Sequence, residues 1–382
     1  MISLIFSKFR KLLLTYMENL KTRLLSLDIL RGLTIILMII VNDPGSWDHV
    51  YAPLLHADWN GLTPTDYVFP TFIFIVGVSI VLSLTKQSER GLSRNQLVKK
   101  ILWRSLKIYL VGIFLWLWPS FNFGSIRWVG VLPRIAFVFM TCGLLFLYTK
   151  RKTQIIIATV ILVLYWLVVK YLPVPGIGMP DLSEPGKNWA NYIDQLYLPG
   201  YLWKQTWDPE GILSSFPAVA SGLLGMMAGF ILVSKADLKD KLIKLFLMAG
   251  TLLVLGDVFQ YLMPINKSLW SSSFVLMTGG ISCLLLALFV YWIDIKGYVA
   301  RFKMAQVFGM NAIFAYTLAG IFYTFFYSKK LWGISLSATF VEQANSIGVD
   351  PKFASLIYAL LYVLIVWIPT HQLYKRKIFI KL

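Results

Sequence analysis

Cysteine is almost absent from this 382-residue sequence: Cys142 and Cys283 are its only two, and both lie in apolar runs. That scarcity excludes a disulfide-stapled secreted scaffold, and neither residue has the spacing of a metal ligand, so no metal is expected. Acids are scarce too. Lys and Arg number 36 against 18 Asp and Glu, for a formal net charge of +18. Also missing are a fixed-period repeat, a low-complexity tract and any stretch polar enough for a soluble domain. Residues 23–382 therefore read as a single transmembrane domain.

What fills the chain is apolar sequence. Hydrophobic residues make up 58% of it, well above the roughly 45–50% of soluble domains. Inside a bilayer every backbone N–H and C=O must be paired within its own segment, which makes an apolar run of about 18–25 residues a helix. Runs at roughly 24–41, 66–84, 102–118, 129–148, 155–171, 212–233, 242–263, 271–293, 306–326 and 353–373 predict an all-α polytopic membrane bundle of about ten transmembrane helices. Residues 1–22, basic with short apolar pieces and no cleavage pattern after them, read as an amphipathic cytoplasmic segment on the membrane surface.

Charge placement predicts orientation. With the N-terminus in the cytoplasm, 26 Lys and Arg fall in or beside the inside loops and 8 lie outside. This positive-inside bias accounts for the charge without invoking nucleic acid, and it puts both termini of a multi-pass protein in the cytoplasm. Trp47, Tyr51, Trp59, Trp116 and Trp118 crowd the span ends, as interfacial belts require.

Three outside segments are more than connectors. Residues 42–65 hold Asn42, His49, His56, Asp58, Trp59 and Asn60 with no Lys or Arg; residues 172–211 end in Trp207, Asp208, Pro209, Glu210 and Gly211; residues 327–352 carry Lys329, Lys330, Trp332 and Glu342. Histidine takes and gives a proton near neutrality. His56 has Asp58 and Asp66 nearby to fix its tautomer, although a solvated loop histidine is the plainer reading and His49 has an equal compositional claim. Charges within spans need a partner or a wet cavity. Asp28 and Arg31, spaced i, i+3, form either a structural ion pair or a place for a phosphate-bearing donor. Arg134 has no acid nearby in sequence, and Asp257 in the seventh run is its candidate counter-ion.

Several motifs occur together. They are RLLSLDILRG at 23–32, VN at 41–42, LHADWNGLT at 55–63, DYVFP at 66–70, GVL at 130–132 with Arg134, DPEGIL at 208–213, PINKSLW at 264–270, GMN at 309–311 and RKIF at 376–379. In this order, over nearly the whole transmembrane region, they resemble the heparan-α-glucosaminide N-acetyltransferase family and its bacterial relatives. The resemblance implies an acyltransferase that takes acetyl from cytoplasmic acetyl-CoA and acetylates an amino sugar across a bacterial inner membrane. It implies His56 as the active-site histidine, Asn42 as its companion, and homodimerisation. The family's heparan-acting enzyme carries an additional lumenal domain and preceding span without counterpart in this sequence, so the acceptor stays open.

On that reading His56 deprotonates the sugar's amine, Asp58 or Asp66 orients it, and Asn42 donates to the thioester oxygen. Alternatively His56 itself carries the acetyl group. The CoA nucleotide is expected among Arg31, Lys99, Lys100 and Arg104, with the pantetheine arm passing Arg134. Lys267 and Asn266 face the acceptor or the thioester mouth, or else cap a loop. Asp208 and Glu210, with Trp59 and Asn60, are expected on the sugar, although Asp-Pro-Glu-Gly before a span also reads as a turn with helix N-terminal acids. The competing classes are an amino-sugar transporter, which calls for matched broken helices, and a structural partner in envelope biosynthesis. Gly279-Gly280 and Pro369 interrupt their runs without forming such a pair.

Overall fold

The computed structural model of the chain describes residues 24–380. The amphipathic segment expected over 1–22 lies outside the described residues. Helices α1 (Leu25–Asn42), α2 (Val68–Glu89), α3 (Arg94–Leu117), α4 (Val131–Tyr148) and α5 (Arg151–Tyr171) come first. A short α6 (Trp189–Tyr197) interrupts the longest loop, before α7 (Ser215–Val233), α8 (Leu238–Phe259) and α9 (Ser272–Phe289). The chain closes with α10 (Lys303–Met310), α11 (Ala312–Phe326), α12 (Lys329–Trp332), α13 (Leu336–Ser346) and α14 (Pro351–Lys375). Among the described residues there is no strand, only the isolated bridges Arg127–Gly200 and Val174–Gly178.

By length and composition eight helices can cross a membrane, and the pair α10–α11 makes a ninth if its two arms form one span. Each of the ten expected runs falls on a helix, but α3 is not apolar over the length of a span. Its N-terminal part carries Arg94, Lys99, Lys100, Arg104 and Lys107, so only its second half is lipid-like. The run expected at 306–326 is bent by 75°. Asn311 sits at the break, fully buried, its Nδ2 donating to the Ile378 carbonyl at 3.2 Å and its Oδ1 accepting from Ile380 N–H at 2.9 Å. The buried side-chain amide at the break thus pairs with backbone groups of the C-terminal tail, and neither is left bare.

Helix starts follow ordinary capping chemistry. Ser93 opens α3 with a capping box to Gln96, Asp237 caps α8, Ser271 caps α9, and Asp350 caps α14 ahead of Pro351 at its first position. Small residues then decide which helices cross closely, because lipid tails supply no hydrophobic drive between apolar helices. A Cβ on Gly77 of α2 would collide with the Gly222 carbonyl of α7, and one on Gly32 of α1 with the Ala305 carbonyl of α10. The core sits where these crossings meet. In α7 the apolar window is 78% buried and in α2 72%, whereas α8 buries only 22% and faces outward.

Hydrogen bonds between loops gather one end of the bundle. Gly61 N–H donates to the Ile265 carbonyl at 2.8 Å, Tyr201 N–H to that of Ile126 at 3.1 Å, and the Tyr327 hydroxyl to that of Asp43 at 2.6 Å. These are the segments expected on one face. At the opposite end Lys303 Nζ meets the Tyr374 hydroxyl at 2.6 Å.

Candidate active site

Thr63 and Asp66 form a capping box at the 3-10 turn Pro64–Tyr67, which Pro64 opens and which leads into α2. Asp66 is fully buried there, its Oδ2 accepting from Thr63 N–H at 3.0 Å, Thr63 Oγ1 at 3.0 Å and Ala57 N–H at 3.1 Å. A carboxylate so held has one oxygen left. That oxygen, Oδ1, lies 2.7 Å from Nδ1 of His56. The pair assigns the tautomer: Nδ1 carries the hydrogen donated to Asp66, and Nε2 keeps its lone pair as an acceptor. The imidazole is 42% exposed while its partner carboxylate is 1% exposed, so the base is open and its orienting group dry. Asp58 is exposed and does not take this place.

A third group joins them from a distant turn. Lys267 Nζ lies 2.8 Å from His56 Nδ1, 3.1 Å from Nε2 and 3.5 Å from Asp66 Oδ1. Because Nδ1 donates to Asp66, the acceptors for the ammonium are Nε2 and the carboxylate. Burial pushes the Lys267 ammonium below the usual lysine range, while Asp66 and Glu210 pull it partly back.

The turn that presents Lys267 is built by Asn266. This residue is fully buried, donating from Nδ2 to the Trp59 carbonyl and Asn60 Oδ1, each at 3.0 Å, and accepting from Leu269 N–H at 2.8 Å. Trp59 Nε1 and Asn60 Nδ2 both donate to the Leu182 carbonyl, at 3.0 and 2.8 Å. Asn266, Trp59 and Asn60 therefore clamp three loops together, and the hydrogen bonds of their side chains point inward to protein. The loop-capping reading describes Asn266; Lys267 beside it faces His56.

Asp208 and Glu210 are engaged as well. Arg127 grips Asp208 through Nε at 2.7 Å and Nη2 at 2.6 Å, reaches Glu210 at 2.6 Å, and stacks over Trp203 at 5.0 Å. Burial works against the Arg127 charge, yet the two carboxylates raise its pKa further, and the same pairing holds Asp208 below the usual carboxylate range despite its burial. Asp194 on α6 ties the segment down from below, accepting from Asp208 N–H at 3.2 Å and Ile212 N–H at 2.9 Å. Burial pushes its carboxyl up to about 6, those backbone bonds opposing. Arg127 and Asp194 escaped the reading of the sequence. Arg127 had the signal of an outside cation that topology does not need, and Asp194 had none.

Arg134, in the first turn of α4, is buried and bonds to the Ser214 hydroxyl and the Gly211 carbonyl, lying 4.9 Å over the Trp270 ring. Asp257 is not its counter-ion. That acid is exposed on the outer face of α8, bonded to Gln260 at 2.6 Å. The Ser214 hydroxyl, the Gly211 carbonyl and the Trp270 ring, together with the nearby loop acids Glu210 and Asp208, take the place of an ion pair. Nε and Nη1 of Arg134 have no hydrogen-bond partner among the described residues.

Asn42 ends α1 and lines a cavity of about 200 Å³ between α1, α3 and α11. At the basic end, Arg31 bonds to Asp28 at 3.0 Å, Ser79 Oγ at 2.7 Å and the Gly309 carbonyl at 3.3 Å, the last closing the C-terminal end of α10. Arg104 lies within electrostatic reach of Arg31, packs 4.8 Å over Phe139, and has no partner for its Nε among the described residues. The structure thus joins His56, Asp66 and Lys267, sets Asn42 on the cavity between α1, α3 and α11, and puts Arg31 with Arg104 nearer the other end.

This is a polytopic helical membrane protein whose loop end holds an oriented, open imidazole. Residues 23–263 match the family described as heparan-alpha-glucosaminide N-acetyltransferase, catalytic. The chain belongs to that acyltransferase family. It is 31% identical to the heparan-alpha-glucosaminide N-acetyltransferase of Homo sapiens over 96% of its own length, and 28% identical to that of Mus musculus over 94%. It spans 61% and 60% of those two relatives.

Proposed function

We propose that this protein is a transmembrane N-acetyltransferase that moves acetyl from cytoplasmic acetyl-CoA to the amine of a glucosamine-type sugar on the far side of a bacterial inner membrane, with both termini in the cytoplasm. The observation that carries the reading is the 2.7 Å contact of Asp66 with His56 Nδ1, which leaves the base lone pair on Nε2, where Lys267 Nζ stands 3.1 Å away until the substrate enters. Family membership supports the reaction class.

In the step proposed, the amine lone pair attacks the thioester carbon while its proton passes to His56 Nε2. Negative charge grows on the carbonyl oxygen. The Lys267 ammonium is the nearest cation for it, and Asn42 is the candidate amide donor; one such contact contributes about 3–4 kcal/mol in a preorganised site. Cleavage of the C–S bond then releases a thiolate that takes the proton from the imidazolium, so nothing is left over. Asp66 stays ionised throughout and steadies the imidazolium through Nδ1–H.

The donor's phosphates need cations and its arm needs length. Arg31 and Arg104 supply the cations at the basic end. Arg31, Ile35, Met38 and Asn42 share one face of α1, and a helical rise of 1.5 Å per residue separates Arg31 from Asn42 by about 16 Å, close to the reach of an extended pantetheine arm.

The test uses purified protein reconstituted in vesicles with labelled acetyl-CoA and glucosamine on opposite sides. Labelled N-acetylglucosamine on the acceptor side, lost in His56→Ala, is the expected result. Sugar uptake without acetylation would overturn the reading in favour of a transporter. Recovery of acetyl on His56 before the sugar is added would replace direct transfer by an acetyl-enzyme route.

A further inference from the structure

Two of the sequence motifs that the transfer step does not use, GMN at 309–311 and RKIF at 376–379, meet at the basic end of the bundle. Asn311, at the break between α10 and α11, is fully buried, and its side-chain amide is spent on two backbone groups that follow α14: the Ile378 carbonyl, to which Nδ2 donates, and the Ile380 N–H, from which Oδ1 accepts. The chain reaches Asn311 by a tight reversal. Lys377 N–H donates to the Tyr374 carbonyl at 3.0 Å and Ile378 N–H to that of Leu373 at 2.9 Å, which ends α14 in a Schellman turn. Lys377 takes its left-handed position with a φ of 58°, a conformation that costs a lysine what it would not cost a glycine. Backbone makes this docking, since Ile378 and Ile380 themselves are 46% and 39% exposed.

The short helix α10 is thereby held at both ends. At its start Lys303 Nζ bonds to the Tyr374 hydroxyl at 2.6 Å and to Gln306 Oε1 at 3.1 Å, and just past its end Asn311 holds residues 378–380. Between these anchors α10 lies against α1 with no room for a side chain, because a Cβ on Gly309 would collide with the Asp28 carbonyl. The Gly309 carbonyl, two residues before Asn311, accepts from Arg31 Nη1 at 3.3 Å, while Asp28 and Ser79 hold the same guanidinium from α1 and α2. A guanidinium is a rigid fork, so its bearing is set by the groups it grips. One of those groups belongs to the end of α10.

We infer that residues 376–380 latch α10 in place and that Asn311 is a positioning residue for the donor: through the Gly309 carbonyl they fix the direction in which Arg31 presents its charge to the donor's phosphates. The inference rests on the acetyl-CoA reading above. With the segment undocked, the buried Asn311 amide loses both partners, α10 loses its anchor at the bend, and the Gly309 carbonyl has no fixed place from which to accept. Linkage makes the effect reciprocal: docking that favours the phosphates is itself favoured once phosphates are bound. The pantetheine arm and the acetyl group, which meet other residues, gain nothing from it.

The test compares coenzyme A with S-acetylpantetheine, the donor's arm without nucleotide or phosphates, on the detergent-purified full chain. Ile380→Pro deletes the N–H given to Asn311, and Ile380→Ala keeps it as the control. Ile380→Pro is expected to weaken coenzyme A in equilibrium dialysis about tenfold, roughly 1.4 kcal/mol, the effect of one hydrogen bond to a charged group, and to raise the KM for acetyl-CoA at unchanged kcat. Ile380→Ala should match wild type. Turnover of S-acetylpantetheine should be equal in all three proteins, which a general loss of structure would not allow. Where Ile380→Pro does not fold, hydrogen exchange in wild type decides: the Ile380 amide should exchange more slowly with coenzyme A bound and at its unliganded rate with S-acetylpantetheine. Equal coenzyme A affinity in Ile380→Pro, equal losses for both donors, or an Ile380 amide indifferent to coenzyme A would overturn the latch and leave the acetyltransferase reading intact. Coenzyme A binding that depends on the Ile380 N–H, with no acetyl reaching glucosamine, would sink that reading and leave the latch standing, and a wild type that binds no coenzyme A would remove both.

Discussion

Lys267 Nζ and the imidazole of His56 touch at 2.8 Å although 211 residues separate them in the chain. An ammonium against a ring that already donates to a carboxylate makes one electrostatic unit of three side chains, and each member has a separable consequence.

The first concerns pH. Burial lowers the Lys267 pKa, so its charge is lost as pH rises through a value below the roughly 10.4 of a solvated lysine. Transfer should therefore decline on the alkaline side of the kcat/KM profile. Lys267→Arg keeps its charge at every accessible pH and should flatten that limb while lowering kcat about tenfold through altered geometry. An identical alkaline limb in wild type and variant would assign the titration to another group.

Asp66→Asn tests the tautomer. An amide in place of the carboxylate no longer stabilises the imidazolium and can present its NH2 to Nδ1, which turns the proton onto Nε2. By analogy with the equivalent change in a serine-protease triad, kcat should fall by about 10⁴ with fold retained. Near-normal turnover would show that His56 needs no orienting acid.

Asn266 positions Lys267 without touching His56. Asn266→Ala removes the acceptor for Leu269 N–H, a buried bond whose loss leaves a partner bare at about 1–3 kcal/mol, and the donor to the part-buried Trp59 carbonyl. Lower melting temperature together with reduced kcat is expected, with the KM for acetyl-CoA unchanged. A selective rise in that KM would mean that Asn266 contacts the donor.

Two substitutions probe the scaffold alone. Arg127→Met strands Asp208, whose carboxylate is fully buried, and breaking such a pair costs about 3–5 kcal/mol. Gly77→Ala drives a methyl into the Gly222 carbonyl, and overpacking of this kind costs about 1–3 kcal/mol. Thermal unfolding in detergent should rank them in that order below wild type; equal stability of Arg127→Met would show that the loop tolerates an unpaired acid.

Much of this architecture was legible before any coordinates. Apolar runs marked the helices because hydrocarbon forbids unpaired backbone, a constraint local to each segment. In α3 a basic first half rides on an apolar second half, and the rule could not foresee the 75° bend at Asn311, whose side chain bonds a tail about 70 residues further on. Of the candidate residues, His56 and Asp66 stood out in one short loop. Asn266, Trp59 and Asn60 carried the motif signal of function while their side chains hold loops together, since a polar side chain spent on a neighbour's backbone looks the same in sequence as one turned to a ligand.

The amino-acid order alone determined a helical membrane protein of a recognisable acyltransferase family, with its distinctive loops on alternate gaps, because hydropathy and charge act segment by segment and need no knowledge of neighbours. Only the tertiary structure decided that Asp66 and not Asp58 meets His56, that Lys267 joins them, that Arg127 claims Asp208 and Glu210, and that Asn42 and Asp43 open onto a cavity. Those pairings depend on how closely α1, α2, α7 and α10 cross at their glycines, a geometry set by packing between segments far apart in the chain.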